Sequence, residues 1–210
     1  SAASSLPVAT GRDEAALKEL VSGSKHGNVT YIVMDLARTD EQESQIKEQL
    51  YRRFSSLDIV INNAGILITG DFMKLTSDDA RHLMEVNFIG PAALIRMAKP
   101  LLGKGSHIVN ISSMGGYQGS SKYPGLSFYS ASKAALSCLS ECLAEEFKSD
   151  FISVNTLAIG SVGTSMFEKA FPGHSAPVKP EDMGAFIARF AESANIVING
   201  KVIPVAVNNP

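Results

Sequence analysis

The residues best equipped for chemistry lie in FYSASKAALSCL, residues 128–139, where Tyr129 and Lys133 stand four apart. On a helix, positions i and i+4 share a face, one above the other. An ammonium held there favours phenolate, and so lowers the pKa of a phenol that ordinarily titrates at about 10. A phenol tuned in this way can give a proton to a carbonyl oxygen, or take one from an alcohol, near neutral pH. The small neighbours Ser130, Ala131, Ser132 and Ala134 would let a flat ligand or a neighbouring helix approach closely. The spacing alone is weak evidence, because a Tyr and a Lys four apart are more often a solvent-facing pair. Context adds to it. NISS (110–113) closes a β-branched run and is followed by MGG, so Ser113 can occupy a bent, glycine-permitted turn. NNAG (62–65) closes an earlier run. Asn87 falls inside a helical pattern, where Asn is a poor fit; taken singly, it reads as a solvent-facing Asn.

The elements that must position these groups alternate along the chain. Strands are expected at the end of LPVAT (6–10), at VTYIVMDL (29–36), LDIVINNAG (57–65), SHIVNISS (106–113), FISVNTLAI (151–159) and NGKVIPVAV (199–207). Between them run helical patterns at 13–23, 39–54, 77–102, 128–148 and 180–192. The second carries Ile46, Leu50 and Phe54 at a spacing of four. The third has a kink expected at Gly90-Pro91, and Pro180 stands near the start of the last. Nearly continuous apolar runs at 59–61 and 152–159 suit strands covered on both faces. The pattern predicts one α/β domain over residues 1–210, a doubly wound, mainly parallel sheet in a three-layer α/β/α arrangement. Ligands of such sheets bind beyond the carboxyl ends of the strands. Here those ends carry MDL, NNAG, NISS and AIGSVGT.

Composition narrows the function. The chain has 210 residues and a formal net charge of −2, so no basic surplus points to nucleic acid or an anionic membrane. No apolar run is long enough to span a bilayer. SAASSLPVATGR lacks the basic start and apolar stretch of a signal peptide. Cys138 and Cys142, at i and i+4, suit neither a disulfide framework nor a zinc site, and read as small core or interface fillers in a reduced, cytoplasmic setting. His26, His82, His107 and His174 are scattered without metal spacing and read as surface or packing residues, so no metal is expected.

Taken together, Asp35-Leu36, LDIVINNAG (57–65), Asn87 in EVNFIGP, HIVNISSMGG (107–116), YSASK (129–133) and NTLAIGSVGTSM (155–166) resemble the short-chain dehydrogenase/reductase family, in the family's order, from about residue 6 to the C-terminus. The resemblance implies a nicotinamide-dependent oxidoreductase with a Rossmann-type domain. It implies Tyr129 as the proton donor or acceptor. Lys133 would lower its pKa and hold the nicotinamide ribose. Ser113, three before the glycine matched by Gly116, would orient and polarise the substrate carbonyl, and Asn87 would hold a proton-relaying water. Asp35 would contact adenine, with Leu36 beside it. Asn62, Ala64 and Gly65 would pack against the adenosine ribose. Gly160 would let the backbone approach the cofactor, and Val162 and Thr164 would hold the nicotinamide half. Arg12 matches the end of the family's second strand, where Arg suits the 2′-phosphate of NADP(H) and an acidic residue would suit NAD(H).

The chain departs from the family in two places. Ile159-Gly160 replaces the usual Pro-Gly, which loosens that loop. The opening strand and its TGxxxGxG turn have no match. That turn holds the pyrophosphate at a helix N-terminus, and the strand lies mid-sheet in the order 3-2-1-4-5-6. Without the strand, two half-sheets with open apolar edges are expected, in a domain unstable alone. Three explanations follow: a segment missing from the sequence, with SAASS a remnant or tag ahead of it; lost cofactor binding; or a strand supplied by another chain.

The expected function is hydride transfer between NADP(H) and a carbonyl or secondary alcohol, and the alternative is a non-catalytic Rossmann-like subunit or interaction module. Met166, Phe167 and Phe171, with Tyr123 and Leu126, suggest an apolar substrate, although ordinary loop anchoring explains the first three equally well. The broad apolar faces of the helices at 77–102 and 128–148 match the family's four-helix interface, which implies a homodimer or homotetramer.

Overall fold

The computed structural model describes residues 6–207; SAASS (1–5) lies outside them. Among the described residues, six strands and seven α-helices follow one another: β1 (Val8–Gly11), α1 (Glu14–Ser22), β2 (Thr30–Val33), α2 (Thr39–Arg53), β3 (Leu57–Asn62), α3 (Ser77–Met84), α4 (Gly90–Ala98), β4 (Leu102–Ser113), α5 (Ser127–Glu146), β5 (Ser153–Ile159), α6 (Ser165–Ala170), α7 (Pro180–Ser193) and β6 (Val202–Val205). Every strand pairing is parallel, as expected for a Rossmann-type α/β fold.

The strands form two separate sheets among the described residues: β1 pairs with β2, and β3-β4-β5-β6 form a second sheet in chain order. Their relative placement follows from handedness. Ile32 and Met34 face α2 and α4, whereas Tyr31 on the opposite face of β2 meets Glu14 of α1. The connections through α1 and α2 therefore run over opposite faces. Right-handed crossovers on opposite faces lead in opposite directions, so β3 lies beyond β1 and the order is β2-β1-break-β3-β4-β5-β6. The half-sheets expected from the sequence are present. On the β3 edge, Ile61 is 39% exposed.

Helix α4 holds the halves together. Its Ala93 and Met97 pack with Ile32, Met34, Ile46 and Leu50, and its Ile95 and Ala98 pack with Val60, Ile108 and Val154. The Tyr51 hydroxyl of α2 donates to the Met97 carbonyl at 3.0 Å. On the other face, Phe186, Ile187 and Phe190 of α7 cover Val109, Ile111 and Leu157. Burying each of these large apolar side chains contributes roughly 1.5–3 kcal/mol.

Several boundaries differ from the periodicity. The long helix at 77–102 is α3, a π-helical turn over Glu85–Ile89, then α4. Gly90 N–H closes onto the Glu85 carbonyl, so the expected kink is an extra residue in the turn ahead of Pro91, which occupies the first turn of α4 where its missing N–H costs nothing. Thr76 and Asp79 form a reciprocal capping box at the start of α3. The 166–180 stretch, read as loop, contains α6, capped by Thr164. Cys138 and Cys142 are free and exposed, so they are not core fillers. Among the described residues no helix is long and apolar enough to cross a membrane, and no cluster of His, Cys, Asp and Glu could hold a metal ion.

His107 is a buried packing residue. Asn155 Nδ2 donates to its Nε2 at 3.0 Å, which leaves Nδ1 to donate to the Ala191 carbonyl at 2.9 Å. Burial lowers its pKa below the ordinary 6.5, against the weaker opposing pull of the Ala191 carbonyl. The unfolded chain then binds a proton that the folded chain refuses, so this group costs stability as pH falls below 6.5. Wild type should lose up to about 1.4 kcal/mol per pH unit relative to His107→Gln between pH 6.5 and 5 in urea denaturation; parallel stability curves would refute the neutral buried imidazole.

Candidate functional site

The site assembles where α5 crosses the carboxyl end of β4. A polar face of α5 makes this possible. Ser132, Lys133, Ser137 and Ser140 are buried there beside Leu136 and Ala144. Ser140 accepts from Asn110 Nδ2 at 2.8 Å, and Asn110 Oδ1 accepts from Asn62 Nδ2 at 2.7 Å. β3, β4 and α5 are thus tied by one chain of side-chain amides and a hydroxyl. Asn62 is buried, and one of its amide hydrogens goes to this chain.

Gly116 sets the approach distance. A Cβ there would lie 2.7 Å from the Ala134 nitrogen and 2.8 Å from the Lys133 carbonyl carbon, closer than real Cβ contacts. The backbone after β4 therefore lies directly against α5. Ser113 ends β4, and its hydroxyl accepts from Gly115 N–H at 3.1 Å in a short 3₁₀ turn. The same hydroxyl is near enough to Tyr129, in the first turn of α5, to pull its pKa down. The expected Ser113–Tyr129 juxtaposition is present.

Lys133 is 5% exposed, and its Nζ donates to the Ile111 carbonyl at 3.0 Å. Burial depresses its pKa to about 8. Burial raises the pKa of Tyr129, and the Ser113 hydroxyl pulls it down by less. The direction opposes the sequence expectation of a phenol made more acidic by Lys133. The ammonium is turned onto the β4 carbonyl, so desolvation decides the phenol's titration.

Asn87 sits in the π-helical turn and is fully buried. Its Oδ1 accepts from Ile66 N–H at 2.8 Å, while Nδ2 donates to the Ile66 carbonyl and to Ser132 Oγ, both at 3.0 Å. The amide clasps the loop after β3 as a strand would, and both of its donors are used. One lone pair of Oδ1 remains for a water. A Cβ added to Gly65 would lie 3.0 Å from Asn87 Oδ1 and 3.1 Å from Lys133 Nζ. Gly65 therefore leaves the space into which both side chains reach.

Gly65 also lines a cleft of about 510 Å³, open mouth included, with Thr10, Gly11, Arg12, Met34, Asp35, Leu36, Ala64, Ile66 and Val86. The ends of β1, β2 and β3 converge on it. Of the positions implied for the dinucleotide, Arg12, Asp35, Leu36, Ala64 and Gly65 are brought together here. Asp35 Oδ1 accepts from Ala37 N–H at 3.0 Å, which leaves its other oxygen available. Leu36 is pressed against Gly90, where a Cβ would come within 2.7 Å of it. The cleft, with one exposed cation at its rim and small residues along its wall, fits the adenosine half of a dinucleotide.

Gly160, Val162 and Thr164 lie elsewhere. Gly160 is needed because a Cβ there would meet the Ala206 Cβ at 2.8 Å. Val162 is buried and bridges to Val178. The Thr164 hydroxyl accepts from Phe167 N–H at 3.3 Å as the cap of α6. In the stretch suggested for an apolar substrate, Phe167 stacks with Phe171 at 5.1 Å and Met166 is 38% exposed. The reading of the sequence omitted Thr10, Gly11, Ile66 and Val86 from the cleft, and Ser112, Ser132 and Ser137 from the support beneath the site. The serines had a signal: hydroxyls on the face of α5 that an apolar stripe would normally occupy.

The chain matches the family model described as short chain dehydrogenase over residues 4–175. It is 35% identical over 175 residues to dehydrogenase/reductase SDR family member 7B of Danio rerio, covering 78% of this chain and 55% of that one. It spans about half the length of the first curated relatives it matches. A dehydrogenase/reductase from Sinorhizobium meliloti 1021 superposes with a TM-score of 0.79 at 28% identity, covering 95% of this chain and 82% of that one. A short chain dehydrogenase from Escherichia coli CFT073 complexed with NADPH superposes with a TM-score of 0.84 at 25% identity, covering 94% and 84%.

The depression of Lys133 from 10.5 to about 8 corresponds to a penalty of roughly 3 kcal/mol on the folded ammonium. Lys133→Met should therefore be more stable than wild type at pH 7 by roughly 1–3 kcal/mol. The wild type recovers the difference as pH rises from about 8 towards 10.5, because the folded amine sheds a proton that the unfolded one keeps. Urea denaturation at pH 7 and 9.5 measures both; a variant less stable than wild type at pH 7 would show that the amine is not desolvated.

Proposed function

The chain belongs to the short-chain dehydrogenase family, and on that premise we propose that it is an oxidoreductase acting on a carbonyl or secondary alcohol with NADP(H), with Tyr129 as the acid/base. The observation that carries this reading is the juxtaposition of Ser113 and Tyr129 near buried Lys133. When bound, the nicotinamide cofactor supplies or accepts the hydride.

The chain's own groups then have defined tasks. Arg12, at the rim of the cleft, would meet a 2′-phosphate, which supports NADP(H) over NAD(H). Asp35, Leu36, Ala64 and Gly65 hold the adenosine half. Lys133 reaches the ribose on the nicotinamide side. Ser113 donates its hydroxyl to the substrate oxygen. Tyr129, whose pKa lies above the ordinary phenol value, remains protonated through neutral pH. It is therefore a proton donor under those conditions, which favours carbonyl reduction over alcohol oxidation. Asn87 fixes the loop at Ile66 and offers its remaining Oδ1 lone pair to a water between itself and Lys133. Gly160, Val162 and Thr164 hold the nicotinamide half through backbone on the β5 side, since the Thr164 hydroxyl already caps α6. The exposed Met166 and the Phe167–Phe171 pair favour an apolar substrate, and the helices at 77–102 and 128–148 offer a face for a homodimer or tetramer.

A second reading, a non-catalytic subunit, is favoured by the break between the sheets, which deprives the described residues of a continuous strand platform at the cleft. Ser113, Tyr129, Lys133 and Asn87 weigh against it, because a packing role needs no hydroxyl–phenol–amine arrangement.

Tyr129→Phe should lower carbonyl reduction by roughly 10²–10⁴-fold with circular dichroism unchanged. Wild-type reduction should fall as pH rises through about 8, where Lys133 loses its charge. Undiminished turnover in Tyr129→Phe would refute the assignment. Arg12→Ala should weaken NADPH binding about tenfold, the value of one charge-assisted phosphate contact, and leave NADH binding unchanged. Equal losses for both dinucleotides in fluorescence titration would remove the basis for NADP(H).

A further inference from the structure

Lys133 is held to β4 at both of its ends, and only one end belongs to the chemistry proposed above. At the side-chain end, Nζ donates to the carbonyl of Ile111. At the backbone end, the hydroxyl of the next strand residue, Ser112, donates to the Lys133 carbonyl at 2.9 Å. Ser137 stands one turn further along α5, with its Oγ 3.0 Å from Ser112 Oγ and 3.1 Å from the same carbonyl. Ser112 is 2% exposed and Ser137 5%. Two hydroxyl protons and three oxygens form a closed triangle. With Ser112 donating to the carbonyl, the one Ser137 proton has both Ser112 Oγ and the Lys133 carbonyl within reach.

Ordinary helix packing does not require this arrangement. The Lys133 carbonyl already lies within the hydrogen-bonded interior of α5, so the hydroxyls are extra partners. The same buried positions filled with Ala would satisfy packing without a polar group. What the triangle adds is register. Ser112 and Ile111 are consecutive on β4, so one strand dipeptide grips one helix residue by its carbonyl and its amine. Tyr129 lies one turn before Lys133 on the same helix, and Ser113 one residue beyond Ser112 on the same strand. A slip of α5 along β4 would break the triangle and separate Tyr129 from Ser113 in one movement.

We infer that Ser112 and Ser137 are positioning residues that hold Lys133 and Tyr129 in register with Ser113 for the reaction. The inference rests on the proposed oxidoreductase reading, but its first readout does not.

The test uses the full chain. Lys133 is followed by NMR titration of its ¹³Cε/¹⁵Nζ resonances in wild type, Ser137→Ala, the Ser112→Ala/Ser137→Ala pair and Ser137→Thr. In the paired variant the midpoint of Lys133 should rise by about half a unit or more towards the solvent-exposed value, as the amine gains access to water. Ser137→Ala should move it by less, and Ser137→Thr should restore it. In parallel, carbonyl reduction should lose roughly tenfold in kcat for the paired variant, with KM for NADPH unchanged and recovery in Ser137→Thr, because misplacement of the reacting groups affects the transition state more than cofactor binding. An unmoved Lys133 midpoint in the paired variant would overturn the inference, as would equal behaviour of Ser137→Ala and Ser137→Thr. If the paired variant does not fold, the contrast between Ser137→Ala and Ser137→Thr decides. A wild type without reductase activity refutes the oxidoreductase reading, while the titration still decides whether the serines set the register.

Discussion

The close approach of α5 to the carboxyl end of β4 is the constraint from which the site follows. It requires a residue without a side chain at 116, because any Cβ would run into the backbone at 133 and 134. It also requires that the facing surfaces be polar in matching places. Ser140 meets Asn110, Ser137 meets Ser112, and Lys133 meets Ile111. The contacts to Lys133 Nζ and Asn110 Nδ2 satisfy buried donors whose loss of a partner would cost about 1–3 kcal/mol. Such contacts have little tolerance for sliding, unlike apolar packing, which accepts several registers. The result is a phenol placed against Ser113 at the start of the helix and an amine sealed against the sheet one turn later.

The second constraint is topological. The chain divides into two parallel half-sheets, and α4 spans the break by packing against the core of each. Turns from both halves meet at the cleft: Thr10 to Arg12 and Met34 to Leu36 from one, Ala64 to Ile66 from the other. Two glycines allow the meeting. Gly90 lets the turn at Leu36 rest on the start of α4, and Gly65 leaves room beside Asn87 and Lys133. The π-helical turn at Glu85–Ile89 places Asn87 where its amide can clasp Ile66.

Much of this was legible in the residue pattern. Alternating β-branched runs and helical periods located the strands and the principal helices, and the polar strand ends marked the edge on which the cleft opens. The division into two half-sheets was also expected from the pattern, and the described strands show it, β1-β2 in one sheet and β3 to β6 in the other. What was not legible depends on three-dimensional contact. The direction of the Tyr129 shift is set by desolvation and by where Lys133 points, neither of which i, i+4 spacing specifies. The contact between Gly160 and Ala206 joins positions far apart in sequence and near in space, which no local pattern shows. The short α6 has one weak capping signal in Thr164 and no apolar period to announce it. Of the small residues early in α5 that suggested close approach of a flat ligand or a helix, Ser132 meets the π-helical turn through Asn87, whereas Ser137 and Ser140 further along meet β4.

A crystal structure of the intact protein with NADPH tests the central relation most directly. Lys133 Nζ and Tyr129 Oη should both lie within hydrogen-bonding distance, about 2.6–3.2 Å, of the nicotinamide ribose hydroxyls, with the 2′-phosphate against Arg12 and the Lys133–Ser112 contact retained. A nicotinamide bound away from Tyr129, or an α5 displaced along β4 while the protein turns over substrate, would contradict it.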